Sequence, residues 1–271
     1  NDGIAPEIKF AVSAFGGTGA SPLDGATTDR VLDPFRGDFD GLDGLLAAAD
    51  ALQRALNEQG YTFYKVVLPP QTLEGGVVIL DVVPLAFGEI SLEGNKHFSA
   101  ENILRSLPSV ASGTTPDTAA IAQNLETLNR HPSKKTNVRL RQSKQAAAVD
   151  AIVSVKDKRP YQFFAGLNNI GTRQTGRSRL SLGGQYNNLF DLDHKLTLSY
   201  TTSPENISDV TQVSANYELP MYRANGFLSA FYSFSDVNIG QVGDFEVSGA
   251  GRFWGLSYTQ ILRKHGKYRH Q

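Results

Sequence analysis

The feature that most constrains this chain is a two-residue alternation of apolar and polar side chains that begins after Pro160. About six stretches of roughly 7–12 residues show it, and Asn, Asp, Gly and Pro separate them. In one of these stretches Leu196, Leu198 and Tyr200 alternate with polar residues. Successive side chains of a strand point to opposite faces of a sheet, so the pattern predicts a series of strands with one apolar and one polar face.

Two kinds of protein carry such strands. In a membrane β-barrel the apolar face meets lipid, the polar face surrounds a wet lumen, and aromatic residues collect near the strand ends, as they do here. In a soluble β-sandwich the apolar face points into a core instead. The alternation alone does not separate the two. In a barrel, six residues at polar positions would face the lumen: Arg179, Gln185, Lys195, Gln212, Asn216 and Glu218.

The chain before Pro160 is organised differently, because strands and helices alternate in it. Its clearest helix is predicted at about 42–59, where one continuous apolar face ends before Gly60, a residue suited to a left-handed helix stop. That face consists of Leu42, Leu45, Leu46, Ala49, Leu52 and Leu56. Strands are predicted at 8–12, 61–67 and 77–83.

A second unit has the order strand, helix, helix, strand, strand, and the first unit matches it, although only its second helix is clear. A strand is predicted at 87–92, Ser99 can cap a short helix, and Thr115 is predicted to cap a second helix that begins with Pro116. Two strands, at 136–141 and 148–155, close the unit. We therefore predict two small α+β domains, at 6–84 and 85–158, followed by the strands of 159–271. Tandem small domains favour binding over catalysis, since stacked units offer extended binding surfaces.

Composition excludes several classes of function. The formal net charge is -1 and the basic residues are scattered, so no nucleic acid partner is predicted. The absence of cysteine excludes disulfides and thiolate sites. The five histidines, predicted to be solvated turn residues, show no metal-binding spacing: His97, His131, His194, His265 and His270. Since the glycine-rich stretch 16–19 also lacks the lysine of a phosphate loop, we predict no enzyme activity, no cofactor and no metal.

Several local motifs carry a resemblance to a known family. Residues 66–71 (VVLPPQ) and 75–82 (GGVVILDV) resemble the first POTRA domain of two-partner secretion transporters, the haemolysin and haemagglutinin secretion/activation proteins. Residues 88–90 and 94–95 resemble the start of the second POTRA domain. Residues 168–176 (NNIGTRQTG), 187–193 (NNLFDLD) and 196–200 are similar to the first barrel hairpins of that family. The resemblance follows the family order along nearly the whole chain.

This resemblance implies a fold class and a function. The fold would be two tandem α+β POTRA domains followed by the N-terminal antiparallel strands of an outer-membrane β-barrel in a Gram-negative bacterium. The POTRA domains would capture an unfolded exoprotein of the adhesin or haemolysin type in the periplasm as an extended segment, and the barrel, surrounded by outer-membrane lipid, would secrete it. Added-strand pairing at a sheet edge gives sequence-tolerant affinity for such a segment.

Candidate substrate-binding residues lie on one predicted strand and just beyond it. Arg139 and Arg141 share one strand face, with Lys134, Lys135 and Lys144 nearby, and we expect Arg139, Arg141 and Lys144 to steer acidic substrate segments. The alternative is a solvated strand edge whose charges prevent aggregation.

Other interpretations of the whole chain stay open at this point. An outer-membrane protein assembly factor of the same superfamily would share the architecture, although such factors usually carry more POTRA domains. A soluble periplasmic binding scaffold would explain the alternation without lipid. Family members also carry about sixteen barrel strands and a loop with an Arg-Gly motif that reaches into the lumen, so the sequence predicts a fragment that receives a substrate rather than a closed pore.

Overall fold

The computed structural model describes residues 9–17, 19, 21–40, 42–72, 75–242 and 245–262. The chain forms two compact units. The first comprises Asn1–Ile90, Ser112–Pro116 and Leu140–Ala151, and the second comprises Ser91–Ala111, Asp117–Arg139 and Ile152–Gln271. Among the described residues, no helix has the length and apolar character needed to cross a membrane.

The first unit combines two helices with short strand pairs. Its elements are β1 (Lys9–Val12), β2 (Ala14–Gly16), α1 (Gly25–Leu32), a 3-10 turn (Asp33–Phe35), β3 (Gly37–Asp40), α2 (Asp43–Glu58), β4 (Tyr64–Val67), β5 (Val77–Ile79) and β6 (Asp81–Pro84). Strand β1 pairs with β3 and β4 with β6 in antiparallel fashion, and β2 pairs with β5 in parallel. Helix α1 is capped by the Asp24 carboxylate, which accepts from the Thr27 amide at 2.7 Å.

The core of this unit lies under α2. Leu52 and Leu56 are almost fully buried and pack with Leu32, Leu80 and Val82. The predicted helix is confirmed, and Gly60 follows it with a positive φ of 88°. Its predicted apolar face is partly wrong. Leu42 and Leu46 are 60% and 51% exposed. The buried face of the helix instead includes the small residues Ala48 and Ala55.

The predicted strand at 77–83 is interrupted at Leu80. The Gln71 side chain accepts from the Ile79 amide at 2.7 Å and donates to the Ile79 carbonyl at 2.8 Å, so it occupies the place of a neighbouring strand there. In the same way Gln53 of α2 bonds Tyr64 and Val66 of β4. Two glutamine side chains therefore complete pairing that these short strands leave open.

A three-stranded sheet and two further helices follow. The strands are β7 (Ala86–Glu93), β8 (Lys134–Gln142) and β9 (Ala148–Asp157), in the order β7-β9-β8. The helices are α3 (Ala100–Arg105) and α4 (Thr118–Leu128). Ser99 caps α3 as predicted, whereas Asp117 rather than Thr115 caps α4, because its carboxylate accepts from the Ala119 and Ala120 amides.

The second unit ends in a six-stranded antiparallel sheet in which each strand pairs with the next. The strands are β10 (Tyr161–Asn168), β11 (Arg179–Leu189), β12 (His194–Thr202), β13 (Val210–Met221), β14 (Gly226–Val242) and β15 (Phe245–Gln260). A 3-10 turn at Tyr222–Ala224 joins β13 to β14. All six predicted strands are present, and the last two are longer than the alternation indicated.

Candidate functional site

The six-stranded sheet has two chemically distinct faces. Its register aligns Leu182, Tyr200, Val213 and Phe234 across four strands on the apolar face. Large side chains of this face are open to the surroundings, with Leu167 71%, Trp254 75% and Leu256 70% exposed. A soluble sandwich would bury such a face against a second sheet, whereas a barrel in lipid leaves it outward. The exposed apolar face therefore favours a barrel wall.

The opposite face carries a polar ladder. Ser199 and Ser214 bond across β12 and β13 at 2.6 Å, and Ser181 bonds Thr201 across β11 and β12 at 2.8 Å. The register row of Ser199 and Ser214 continues to Ser233 on β14. Hydroxyl groups paired in this way present a weakly polar surface without a fixed charge.

The register places all six predicted lumen residues on the polar face. Lys195 and Glu218 stand opposite each other and form an ion pair at 2.8 Å. Gln212 donates to Ser235 at 3.1 Å, and Gln185 stands opposite Thr197, which in turn stands opposite Asn216. The Arg179 guanidinium instead folds back onto the preceding connection, donating to the Gly176 carbonyl at 2.8 Å. Their role as pore lining stays a prediction.

One end of this sheet meets the helices of the same unit. The β11–β12 turn, the β13–β14 turn and the end of β15 lie at this end, which we call the inner end. From α4, Asn124 donates to the Tyr222 carbonyl at 3.0 Å and Gln123 donates to the Ile261 carbonyl at 3.0 Å. From α3, Asn102 donates to the Asp191 carbonyl at 2.9 Å. Amide side chains of α3 and α4 thus hold both turns and the end of β15.

The centre of this contact is a buried ion pair between Lys134 of β8 and Asp193 of the β11–β12 turn. The Lys134 Nζ lies 2.5 Å from the Asp193 Oδ2, and the two side chains are 0% and 1% exposed. The ammonium also donates to the Asn102 Oδ1 at 2.6 Å and lies 4.9 Å from the centre of the Phe98 ring. Burial lowers the pKa of the Lys134 ammonium, and the Asp193 carboxylate opposes that shift.

Further donors satisfy the remaining acceptors of this cluster. Asn102 Nδ2 donates to Asp193 Oδ1 at 2.9 Å, and the Tyr222 hydroxyl donates to Asp193 Oδ2 at 2.6 Å. A buried carboxylate is tolerated when it is both ion-paired and hydrogen-bonded, and Asp193 has both kinds of partner. We call the set Asn102, His131, Lys134, Asp193 and Tyr222 the junction cluster.

His131 joins the junction cluster in a defined protonation state. Its Nδ1 lies 3.2 Å from the Ser133 amide, which can only donate, so Nε2 carries the proton and donates to the Asn187 carbonyl at 2.7 Å. Burial lowers the pKa of His131 below its ordinary value of 6.5, and the Asp193 carboxylate, 3.8 Å away, opposes the shift. The imidazole is therefore held neutral.

The histidine predictions are partly wrong. His131 is only 7% exposed rather than solvated, and His194 is half-buried against the Tyr217 hydroxyl. Both are drawn in by non-local partners that no local pattern reveals. His97 is exposed as predicted, whereas His265 and His270 lie outside the described residues. Within the portion of the chain that the structure describes, no group of three or more His, Asp or Glu side chains could hold a metal ion.

The predicted substrate-binding residues have individual partners. Arg139 pairs with Glu93 at 3.0 Å in the second unit. Arg141 pairs with Asp150 at 3.4 Å in the first unit, where Lys144 is exposed in the turn after β8. The expectation that Lys134 belongs with these surface cations is wrong, since it is buried against Asp193. The binding role of Arg139, Arg141 and Lys144 stays a prediction.

The junction cluster was not predicted from the sequence, although the β11–β12 turn carries a signal. Phe190, Asp191 and Asp193 all have positive φ, between 56° and 61°, in one short turn. Asn188 holds that turn by accepting from the Asp193 amide at 3.1 Å and donating to Asp191 at 2.9 Å. Asn and Asp tolerate this backbone region best, so a run of them between two strands is typical of such a turn.

Comparisons with known proteins assign this architecture to a class, that of outer-membrane β-barrel proteins with POTRA domains. The profile of the POTRA domain, ShlB-type, matches residues 10–84. The profile of the haemolysin secretion/activation protein ShlB/FhaC/HecB matches residues 149–270. Residues 10–84 and 149–270 of this chain therefore resemble the haemolysin secretion/activation proteins. The fold class and the family resemblance predicted from the sequence are both confirmed.

Two curated relatives illustrate the similarity. The heme/hemopexin transporter protein HuxB of Haemophilus influenzae (strain 86-028NP) is 26% identical over 180 residues, which are 64% of this chain and 31% of that protein. The outer membrane transporter CdiB of Escherichia coli is 25% identical over 228 residues, 83% of this chain and 38% of that protein. The chain thus spans about a third of the length of these relatives. Members of the family are transporters rather than enzymes.

Solved structures show the same fold. CdiB from Escherichia coli superposes with a TM-score of 0.66 at 22% identity, over 97% of this chain and 49% of that one. CdiB from Acinetobacter baumannii superposes with a TM-score of 0.55 at 19% identity, over 97% and 52% of the two chains.

Proposed function

We propose that this chain contains the receiving domains and the first barrel wall of an outer-membrane transporter that secretes an unfolded exoprotein of the adhesin or haemolysin type. The observation that carries the proposal is the junction cluster. It fixes α3, α4 and the start of β8 to the inner turns of a sheet whose two faces suit lipid and a wet lumen. A domain fixed in this way can deliver a captured chain to the pore mouth.

The proposal assigns a separate task to each of the three regions predicted from the sequence. The POTRA domains, at 6–84 and 85–158, lie in the periplasm and bind the exoprotein as an extended segment. The barrel strands, at 159–271, lie in the outer membrane with their apolar face in lipid. No enzyme activity, cofactor or nucleic acid has a role in the mechanism.

An extended chain can pass along a surface that binds it only weakly, and the polar face is such a surface. Its hydroxyl ladders bond mainly to each other, and the charges of Lys195 and Glu218 neutralise one another. A passing segment would therefore meet many weak contacts and no tight one. Arg179, Gln185, Lys195, Gln212, Asn216 and Glu218 line the path, and Arg139, Arg141 and Lys144 attract acidic segments on the periplasmic side.

The alternative of a soluble scaffold is disfavoured by the exposed apolar face of the sheet, and the alternative of an assembly factor by the family match. The decisive experiment deletes the gene in its native bacterium and measures which proteins leave the cell. We expect one large exoprotein to disappear from the medium and to return when the native gene is restored. Unchanged secretion together with loss of outer-membrane proteins would instead indicate an assembly factor.

A finer test uses the predicted receiving residues. A variant with Arg139→Gln, Arg141→Gln and Lys144→Gln is expected to reach the outer membrane in normal amounts and to secrete the exoprotein more slowly. The matched control carries Gln at three exposed basic positions elsewhere, Lys96, Lys156 and Arg173. Equal secretion by both variants would remove Arg139, Arg141 and Lys144 from the proposal while leaving the transporter itself in place.

A further inference from the structure

A cavity of about 270 Å³ lies in the second unit, between the loop after α4 and the polar face of the sheet. Arg130, His131 and Pro132 line it from the loop. Lys195, Glu218 and Ser229 line it from β12, β13 and β14, where they stand side by side in one register row. Because these strand residues belong to the polar face, the cavity opens onto the path proposed for the passing chain.

The charges around this cavity do not balance. Lys195 is neutralised by Glu218 at 2.8 Å, and Asp193 by Lys134 at 2.5 Å. His131 is neutral, because its Nδ1 accepts from the Ser133 amide. The remaining charge is that of Arg130, which is exposed and forms no ion pair with a carboxylate of the described residues. One positive charge is therefore left over at the wall of the cavity.

A guanidinium is suited to bind a carboxylate, because its donors form a planar fork that matches the two carboxylate oxygens. Neighbouring groups also exclude a tight site for a cation, since both nearby carboxylates already have partners. The hydroxyl groups of Ser229 and Thr259 line the same cavity and can serve the main chain of a bound segment. The chemistry thus matches an extended peptide with an acidic side chain.

We infer that this cavity, with Arg130 as its anchor, is a binding site for acidic side chains of the polypeptide that enters the pore. The inference rests on the proposed function and deepens it, because it names a position and a preferred chemistry for the entering chain. An acidic residue that pauses at Arg130 leaves it again by exchange with the next one, so the site orients the chain without trapping it.

The test measures peptide binding to the intact transporter in detergent by fluorescence anisotropy. The probes are three unstructured Gly/Ser peptides that are identical except for evenly spaced Glu, Gln or Lys residues. We expect the Glu peptide to bind wild-type protein about fivefold more tightly than the Gln peptide at low salt, as one accessible ion pair allows. Raising NaCl to about 0.5 M should remove most of this preference, because charges are then screened within a few ångströms.

Variants of Arg130 decide whether the preference belongs to this cavity. The Arg130 variants are made in the Arg139→Gln, Arg141→Gln and Lys144→Gln background, which removes the other basic residues proposed to attract acidic segments. In that background Arg130→Gln should abolish the preference, Arg130→Glu should transfer it to the Lys peptide, and Arg130→Lys should retain most of it. The matched control, Arg173→Gln, removes the same charge from the exposed connection between β10 and β11 and should bind like wild type.

The outcomes separate the inference from the function on which it rests. If the Gln and Glu peptides bind equally well, or if Arg130→Gln keeps the preference for Glu, the acidic site is refuted and polypeptide capture stands. If none of the three peptides binds the wild-type protein, both the site and the proposed capture of an unfolded chain are refuted.

Discussion

The two units differ in the polar side chains that they bury, although both also bury aliphatic ones, such as Leu56 in the first unit and Leu107 in the second. In the first unit the buried side chains under α2 are aliphatic, with Leu52 and Leu56 at the centre. In the second unit an ion pair, amides and a neutral histidine are buried together at the inner end of the sheet. Among the described residues, every buried polar side chain except that of Asp150 belongs to the second unit.

Buried aliphatic side chains and a buried ion pair have different consequences for stability and for geometry. Aliphatic packing is non-directional, so it stabilises the first unit and tolerates small changes of geometry. A buried ion pair adds little net stability, because desolvation offsets most of its attraction. Loss of either partner nevertheless destabilises the fold strongly, since it leaves an uncompensated buried charge. We therefore interpret the junction cluster as a device that fixes one position of the helices on the sheet rather than as a source of stability.

The largest expected effect is at Lys134, in the buried polar cluster of the second unit. Lys134→Met leaves the Asp193 carboxylate buried without its cation, which should lower the local opening free energy at residues 187–193 by about 3–5 kcal/mol. Hydrogen exchange of the amides in that segment measures the loss. Adding Asp193→Asn removes the uncompensated charge while keeping an amide for Asn102 and Tyr222, so at least half of the protection should return. No loss in the single variant would mean that the ion pair is not buried in solution.

In the first unit the largest loss should come from a cavity rather than a charge. Leu52→Ala removes a side chain that is 2% exposed and should destabilise α2 by about 2–5 kcal/mol, depending on how far its neighbours relax. Hydrogen exchange of the α2 amides is the measurement. Leu46→Ala on the same helix is the control, since that side chain is 51% exposed and should matter little.

The neutral His131 adds a pH dependence that the aliphatic core lacks. Its pKa is lowered in the folded state, so the unfolded segment binds the proton more readily and stability falls as the pH drops below about 6.5. The slope should not exceed about 1.4 kcal/mol per pH unit, the limit for one proton, and it ends at the folded-state pKa. Hydrogen exchange of the His131, Ser133 and Asn187 amides between neutral and acid pH tests this. A His131→Gln variant should lose the slope, and an unchanged slope there would assign it to another group.

The smallest effect is expected at Arg139, on the same strand as Lys134. Its ion pair with Glu93 is exposed, with side chains 62% and 56% accessible, so water screens it. Arg139→Gln should leave hydrogen exchange of β8 unchanged at physiological salt. A loss comparable to that of Lys134→Met would show that the two basic residues of this strand do not differ as their burial indicates.

Short-range sequence patterns were sufficient to predict much of this architecture. Alternation of period two located all six barrel strands and assigned Lys195 and Glu218 to one face, since a strand has only two faces. Helical periodicity located α2, and Ser99 was recognised as a cap. Helix α1 was missed because its sequence, GATTDRVL, has little apolar periodicity and forms under tertiary packing through Leu32.

The junction cluster required distances along the chain that local patterns do not span. Asn102 and Asp193 meet across 91 positions, and Lys134 and Asp193 across 59. A lysine among other basic residues is normally solvated, so Lys134 gave no sign of its burial. The face of α2 was misjudged for a related reason, because Ala48 and Ala55 contribute buried contact despite their small size.

The β11–β12 turn has a consequence for the order of folding. Three left-handed residues in one short loop are costly in an isolated hairpin, and the pairing of β11 with β12 also shifts register between Tyr186 and Leu189. Asn102 and Lys134 supply bonds that can offset this cost, and both lie far upstream in the chain. We therefore expect this hairpin to acquire its final pairing only after α3 and β8 have docked, so that the upstream fold acts as a template for the wall that follows it.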